Sequence, residues 1–187
     1  MSIYQWQPNV SPMIDVGVAA PDFIAPAVTA GTAAELELFR LVDRHDAVVC
    51  CFAPANFVPT CTAALAGVRD AGWHGRDDLA VVALTGDSLY AGFAYADRFE
   101  FPFPIVSDFH GSVAESYDLL AESWEGHSRI SRRAVVVIGG DWTVRFAEAT
   151  TDALDRPAPS PVQNATAALR DIGIGVDRPR VDYDGPW

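Results

Sequence analysis

Three continuous apolar runs constrain the fold of this chain more than any other feature of its sequence. They are AVVCCFA (47–53), LAVVALT (79–85) and the run within RAVVVIGG (133–140). Runs of this length, rich in β-branched residues, are typical of strands that are buried on both faces. Such strands need a covering layer above and below, and so the sequence predicts a central sheet flanked by helices.

Amphipathic segments separate the apolar runs, and we interpret them as helices. The predicted helices are 61–73, 88–99, 112–120 and 160–174, with a shorter helix or turn over 35–45. Ser88 and Ser160 suit N-caps, and Pro161 suits a first helical position. A Gly-Gly-Asp turn leads from the third run into a strand over 142–150. Strands that alternate with helices and end in a hairpin indicate an α/β domain with a mixed sheet.

The length of 187 residues suits a single domain. We expect an N-terminal arm over residues 1–16, one domain over 17–174 and a polar C-terminal tail over 175–187. We find no internal repeat and no sign of a second domain.

The charge of the chain argues against two classes of partner. The net charge is −12, all 13 basic residues are arginine, and Asp far outnumbers Glu. Such a surface repels nucleic acids and anionic membranes. Abundant Asp without any Lys also suggests a protein adapted to a high-salt cytoplasm.

The N-terminal sequence and the cysteines indicate a reducing, cytoplasmic setting. No basic region followed by an apolar run opens the chain, and no apolar stretch is long enough to span a bilayer. The three cysteines are an odd number without paired spacing, so we expect no disulfide framework. The four histidines are scattered, and we expect no metal ion and no organic cofactor.

Cys61 is the residue that the sequence singles out for chemistry. Pro59 suits the opening of a helix because it lacks an N–H group that would have no partner there. Cys61 would then lie in the first turn, on the same face as Leu65 and Val68. Helix N-termini and nearby cations both favour a thiolate, so we expect a lowered pKa for this thiol.

Cys50 and Cys51 lie inside the first apolar run, where a cysteine usually acts as a small hydrophobic residue. The alternative is that one of them is a resolving partner for Cys61. Neighbouring residues of a strand face opposite sides of the sheet, so only one of the two could point towards Cys61.

Several segments together resemble the peroxiredoxins, the alkyl hydroperoxide reductase and thiol-specific antioxidant family. The segment PANFVPTC (54–61) matches the proline and the cysteine of the family motif P-x-x-x-T/S-x-x-C. The other similar segments, in the family's order, are GVAAPDF (17–23), FPFPIVSD (101–108), VAESYDLL (113–120) and RAVVVIGGDWTVRFAEA (133–149). The resemblance covers about residues 17–150 and implies a thioredoxin-like fold.

The resemblance also implies roles for particular residues. Cys61 would be the peroxidatic nucleophile, which attacks a peroxide and becomes a sulfenic acid. Arg133 would hold the thiolate and polarise the peroxide, and Pro54 would shield the pocket from water. Phe57 would belong to a homodimer contact.

Two positions depart from the family pattern. Val58 stands where the family has Thr or Ser, and Ala64 stands where it has a glutamate that bonds to the arginine. A lost hydrogen bond to the transition state typically lowers a rate by about 10²–10³-fold. Thr60 would replace the missing hydroxyl if it served as the N-cap of the helix.

The family's resolving cysteine is also missing, because position 66 is alanine and the C-terminal tail has no cysteine. The resemblance therefore implies a one-cysteine peroxidase that is recycled by an external small thiol or a thioredoxin-like protein. The alternative is a peroxiredoxin-like redox-sensing or binding module with weak or no turnover. A thiol-disulfide oxidoreductase is a poorer match, because the chain has no C-x-x-C motif.

The acidic, lysine-free composition generates a prediction about stability. We expect the protein to unfold at low salt and to refold in molar KCl, because salt screens the repulsion among its many carboxylates. Circular dichroism across a KCl series measures this. Full stability in dilute buffer would contradict the high-salt interpretation.

Overall fold

The structure is a computed structural model that describes residues 12–187. Most of the predicted N-terminal arm, residues 1–11, lies outside the described residues. The part that is described lies against the domain, since the Ile14 N–H donates to the carbonyl of Tyr117 at 3.2 Å.

A mixed sheet forms the centre of the molecule, as the sequence predicts. Within the described residues it has seven strands, of which the sequence analysis anticipated the four that lie within 47–53, 79–85, 133–140 and 142–150. Its strands are, in sheet order, β2 (Thr32–Glu37), β1 (Ile24–Thr29), β5 (Ile105–Ser107), β4 (Leu79–Thr85), β3 (Ala47–Ala53), β8 (Ala134–Gly139) and β9 (Val144–Ala149). The pairs β3–β4 and β4–β5 are parallel, and the other pairs are antiparallel. A separate antiparallel hairpin consists of β6 (Leu120–Trp124) and β7 (His127–Ser131).

In the described part of the chain, five α-helices accompany the sheet. They are α1 (Leu38–Arg44), α2 (Pro59–Asp70), α3 (Leu89–Phe99), α4 (Ser112–Ser116) and α5 (Pro161–Asp171), with a short 3₁₀ turn at Trp73–Gly75. The predicted N-cap of α3 is confirmed, because Ser88 Oγ accepts from the Ala91 N–H at 3.3 Å. The predicted cap of α5 is confirmed as well: Ser160 and Gln163 form a capping box before Pro161.

Every residue of β3 and β4 is buried, and both strands have the bounds that their apolar runs predict. Because side chains alternate along a strand, β3 contributes to two separate hydrophobic clusters. Cys50 and Phe52 pack on the side of α1 and α4, whereas Cys51 packs on the side of α2, α3 and α5.

Two predicted helices are wrong in part. The segment 35–45 is helical only from Leu38, because residues 35–37 complete the pairing of β2 with β1. The segment 112–120 is helical only to Ser116. The chain beyond it forms β6, whose pairing with β7 the sequence analysis did not anticipate.

The chain after α5 contains no helix or strand within the described residues, yet it packs closely on α2. A Cβ atom at Gly67 would lie 2.5 Å from the carbonyl oxygen of Arg180, so only glycine allows this approach. Trp73 Nε1 donates to the carbonyl of Asp177 at 2.7 Å. The segment 175–187 thereby runs beside α2, the helix that carries Cys61.

Within residues 12–187, no helix combines the length and the apolar character needed to cross a bilayer.

Candidate active site

Cys61 lies in the first turn of α2, two residues after the helix begins at Pro59. Its side chain is 3% exposed and packs with Ala53, at the end of β3, and with Val58. The indole of Trp124, at the end of β6, packs against this same cluster. The connection from β3 to α2 therefore places the thiol beneath the surface, at the carboxyl end of a central strand.

Hydrogen bonds to the residues directly after β4 hold the loop between β3 and α2. The Pro54 carbonyl accepts from the Gly86 N–H at 3.2 Å, and the Asn56 N–H donates to Asp87 Oδ2 at 2.7 Å. A Cβ at Gly86 would lie 2.7 Å from the Pro54 oxygen, so any larger residue would displace the loop. Pro54 is buried in this loop, beside the turn that carries Cys61.

The helix begins at Pro59, as that proline predicts, and this start decides the role of Thr60. The N-cap is Val58, which offers no side-chain hydrogen bond to the first turn. Thr60 therefore lies inside the helix, and the condition under which it would replace the missing hydroxyl as N-cap is not met. Pro59 at the first position fits the geometry because the first N–H groups of a helix have no partner within it.

Arg133 directly precedes β8 and is only 4% exposed. Its Nη1 donates to the carbonyl of Asp155 at 2.7 Å and to that of Ala153 at 3.4 Å. Its Nη2 donates to the hydroxyl of Tyr183 at 3.2 Å. These three partners are neutral, so they hold the guanidinium without cancelling its charge.

Tyr183 reaches this site from the C-terminal segment. Its ring lies against Arg133, with the guanidinium carbon 5.6 Å from the ring centroid. Its hydroxyl donates to the carbonyl of Pro157 at 3.2 Å. The segment interpreted from the sequence as a polar tail therefore supplies a direct contact of the site.

Thr60 and Arg133 meet at one carbonyl oxygen. Thr60 Oγ1 donates to the Ala153 oxygen at 2.5 Å, and Arg133 donates to the same oxygen. The loop after β9 thus joins the first turn of α2 to the strand that carries the arginine.

A cavity of about 20 Å³ lies among Cys51, Cys61 and Arg133. Most of its other walls are apolar, and they include Ala64 and Val162. This is room for about one water-sized molecule, which needs roughly 10–15 Å³.

Burial raises the pKa of the Cys61 thiol to about 11. The charge of Arg133 and a hydrogen bond with Thr60 both lower the pKa, but they do not offset the burial. The expected net lowering of this pKa is therefore wrong for the closed site. Burial also raises the pKa of Cys51 to about 12 and that of Cys50 still further.

The structure brings Thr60, Cys61 and Arg133 together and places Pro54 in the adjoining loop. Sequence reasoning missed Tyr183, which bonds to the arginine, and Trp124, which packs at the thiol. A tyrosine in a polar terminal segment has no periodicity or motif that would single it out. Trp124 could be found only by predicting the β6–β7 hairpin.

Comparisons with known proteins find a family and relatives that match most of this chain. The model of the AhpC/TSA family matches residues 16–147. A Coxiella burnetii protein named as a peroxiredoxin, bcp, is 29% identical over 112 residues, which are 58% of this chain and 70% of that protein.

Solved structures are similar over most of the chain. The peroxidoxin BcpB of Mycobacterium tuberculosis has a TM-score of 0.70 and 26% identity, over 85% of this chain and 98% of its own. The AhpC of Enterococcus faecalis has a TM-score of 0.69 at 19% identity, over 85% and 96%. The second likeness bears on the fold alone.

The raised pKa of Cys61 predicts how its reactivity depends on pH. A thiol that is protonated at neutral pH gains thiolate about tenfold per pH unit. Alkylation of Cys61 by iodoacetamide should therefore rise steadily from pH 6 to pH 9 without a plateau. Mass spectrometry of the intact protein measures this, with a Cys61→Ser variant as the control for modification elsewhere.

A plateau reached by pH 7 would contradict the prediction. The range ends at pH 9 because thiols with raised pKa values in the folded state favour unfolding as pH rises above their unfolded value, about 8.5.

Proposed function

The chain belongs to the AhpC/TSA family, and on this basis we propose that Cys61 is the nucleophile of its peroxidase reaction. The protein is an oxidoreductase, a thiol peroxidase of the peroxiredoxin type with a thioredoxin-like fold. The observation that carries the assignment to Cys61 is that its buried thiol lines the same small cavity as the buried Arg133.

In the proposed reaction, the Cys61 thiolate attacks one oxygen of the peroxide. An S–O bond forms and the O–O bond breaks, so the sulfur is oxidised to a sulfenic acid and the peroxide is reduced. The departing oxygen takes up a proton and leaves as water or an alcohol. Arg133 stabilises the negative charge that shifts from sulfur to the leaving oxygen.

Substrate entry would promote this reaction by weakening the effect of burial, which raises the pKa of Cys61, relative to the charge of Arg133, which lowers it. Desolvation is the largest cause of the raised pKa of Cys61. Water or peroxide that reaches the sulfur would weaken this cause, whereas the charge of Arg133 would remain. Pro54, fixed by its bond from Gly86, would limit how much water follows.

Neighbouring groups would compensate for the two departures from the family pattern. The carbonyls of residues 153 and 155 and the hydroxyl of Tyr183 hold Arg133, in place of the glutamate that Ala64 cannot supply. Thr60 has one hydroxyl proton, which it donates to the Ala153 carbonyl while the thiol is protonated. Once the thiolate forms, this hydroxyl would turn to the sulfur and provide the hydrogen bond that Val58 lacks.

The partners follow from the same assignment. We propose hydrogen peroxide or a small organic hydroperoxide as substrate and an external thiol or thioredoxin-like protein as reductant.

A homodimer would form around Phe57, which is 46% exposed beside the loop. Sedimentation of the native protein and a Phe57→Ser variant tests the dimer, and a monomeric native protein would refute it.

The alternative of a sensing module is less well supported, because the named relatives are peroxiredoxins.

Rapid mixing with hydrogen peroxide tests the proposed role of Cys61. Tryptophan fluorescence should change in a second-order reaction faster than that of a free thiol, since Trp124 packs against the cluster that contains Cys61. The Cys61→Ser variant should lose the reaction. Cys50→Ala is the matched control because Cys50 faces the opposite side of the sheet. A native rate no faster than that of a free thiol would refute the proposal.

The hydrogen bond from Arg133 to the Tyr183 hydroxyl predicts the effect of changing Tyr183. Removing its hydroxyl in Tyr183→Phe should lower the second-order rate roughly 2- to 10-fold, as for one hydrogen bond of 0.5–1.5 kcal/mol. The apparent pKa of the reaction should rise, because a less firmly held guanidinium favours the thiolate less. Because a higher thiol pKa lowers the thiolate fraction at every pH below it, the rate should fall by a similar factor from pH 6 to pH 9. Stopped-flow rates over this range measure the fall, with Tyr90→Phe, at an 82% exposed position, as control.

Thr60→Val extends this test. It removes the hydroxyl but keeps the shape of the side chain, and it should also raise the apparent pKa. An unchanged rate and pH profile in both variants would show that neither hydroxyl supports the reaction.

A further inference from the structure

The three cysteines of the chain are not equivalent with respect to the site. Cys50 packs in the cluster on the far side of the sheet. Cys51 packs on the near side, among residues that line the cavity beside Cys61, such as Ala64 and Val162. The alternation of side chains along β3 therefore turns one thiol of the vicinal pair towards Cys61 and the other away from it.

Cys51 also shares its electrostatic surroundings with Cys61. The charged form of Cys61 raises the pKa of Cys51, and Arg133 lowers it. Arg133 acts in the same direction on Cys61. Both thiols line a single cavity with the same guanidinium.

We propose that Cys51 is the resolving cysteine of this enzyme and forms an intrachain disulfide with Cys61 in each catalytic cycle. The inference rests on the proposed function, because it needs the Cys61 sulfenic acid. The Cys51 sulfur attacks the Cys61 sulfur, an S–S bond forms and the S–O bond breaks. The Cys51 proton leaves with the sulfenic hydroxyl as water, so no oxidant other than the peroxide is consumed.

The structure indicates how the two sulfurs can meet. Cys51 of β3 and Cys61 of the first turn of α2 both line the small cavity. That turn has no side-chain cap at Val58, and a missing cap makes a helix end easier to unwind. Movement of Cys61 into the cavity would close the distance that a disulfide requires.

The burial of the site gives this step a chemical advantage. Cys61 is 3% exposed, so an external reductant reaches its sulfenic acid more slowly than Cys51, which lines the same cavity. Cys51 is already within the site and would convert the sulfenic acid before a second peroxide oxidises it further. The enzyme would then be a two-cysteine peroxidase, in contrast to the one-cysteine type that the sequence suggests.

The decisive experiment uses Cys50→Ala, in which Cys51 and Cys61 are the only thiols. One equivalent of hydrogen peroxide should remove both free thiols and lower the intact mass by two hydrogen atoms, with the chain still monomeric on a non-reducing gel. Trypsin cannot separate these cysteines, because no arginine lies between residues 44 and 69. Intact mass and thiol counting are therefore the measurements.

Two further samples separate the inference from the proposed function. In Cys51→Ala, the sulfenic acid should persist and be trapped by dimedone, whereas the native chain should give little adduct and lose two of its three thiols. A dimedone adduct on Cys50→Ala with no loss of the Cys51 thiol would overturn the inference and leave the peroxidase intact. Peroxide that reacts with Cys61 in none of the samples would overturn both.

Discussion

The site depends on a buried positive charge that is held by neutral groups. Arg133 is 4% exposed, and a buried guanidinium is stable only when its N–H groups are bonded. Two loop carbonyls and the Tyr183 hydroxyl provide these bonds. Because none of these partners is negative, the charge stays available to the thiols beside it. A carboxylate in the same place would hold the arginine and also oppose its field.

This arrangement ties distant parts of the chain to one site. The loop after β9 binds both Thr60 and Arg133 through the Ala153 carbonyl. The C-terminal segment passes α2 at Gly67 and then contributes Tyr183. Changes far along the chain can therefore alter the first turn of α2, where Cys61 lies, without any contact with the sulfur itself.

Burial and charge act on the thiols in opposite directions, and burial is the stronger effect in the closed site. A protonated, buried thiol reacts slowly with oxidants in solution, and access of the peroxide to the cavity would decide when it reacts. Cys51 is buried near enough to Arg133 for the guanidinium charge to lower its pKa, as it does for Cys61. The proposed chemistry thus follows from the enclosure of the site as much as from the identity of its residues.

The sequence by itself determined the four strands within residues 47–53, 79–85, 133–140 and 142–150, and the position of the candidate thiol. The apolar runs at 47–53 and 79–85 give the bounds of β3 and β4, because a strand buried on both faces must be apolar throughout. Proline at position 59 marks the start of α2, and resemblance pointed to Cys61 and Arg133.

Only the tertiary structure decided the rest of the site. It showed that Val58 is the N-cap, that burial raises the pKa of Cys61, and that Cys51 rather than Cys50 shares its cavity. The physical reason is that desolvation and backbone acceptors depend on which segments pack together. Every residue type has the same backbone carbonyl. The sequence at positions 153 and 155 therefore cannot predict that these carbonyls accept hydrogen bonds from Arg133.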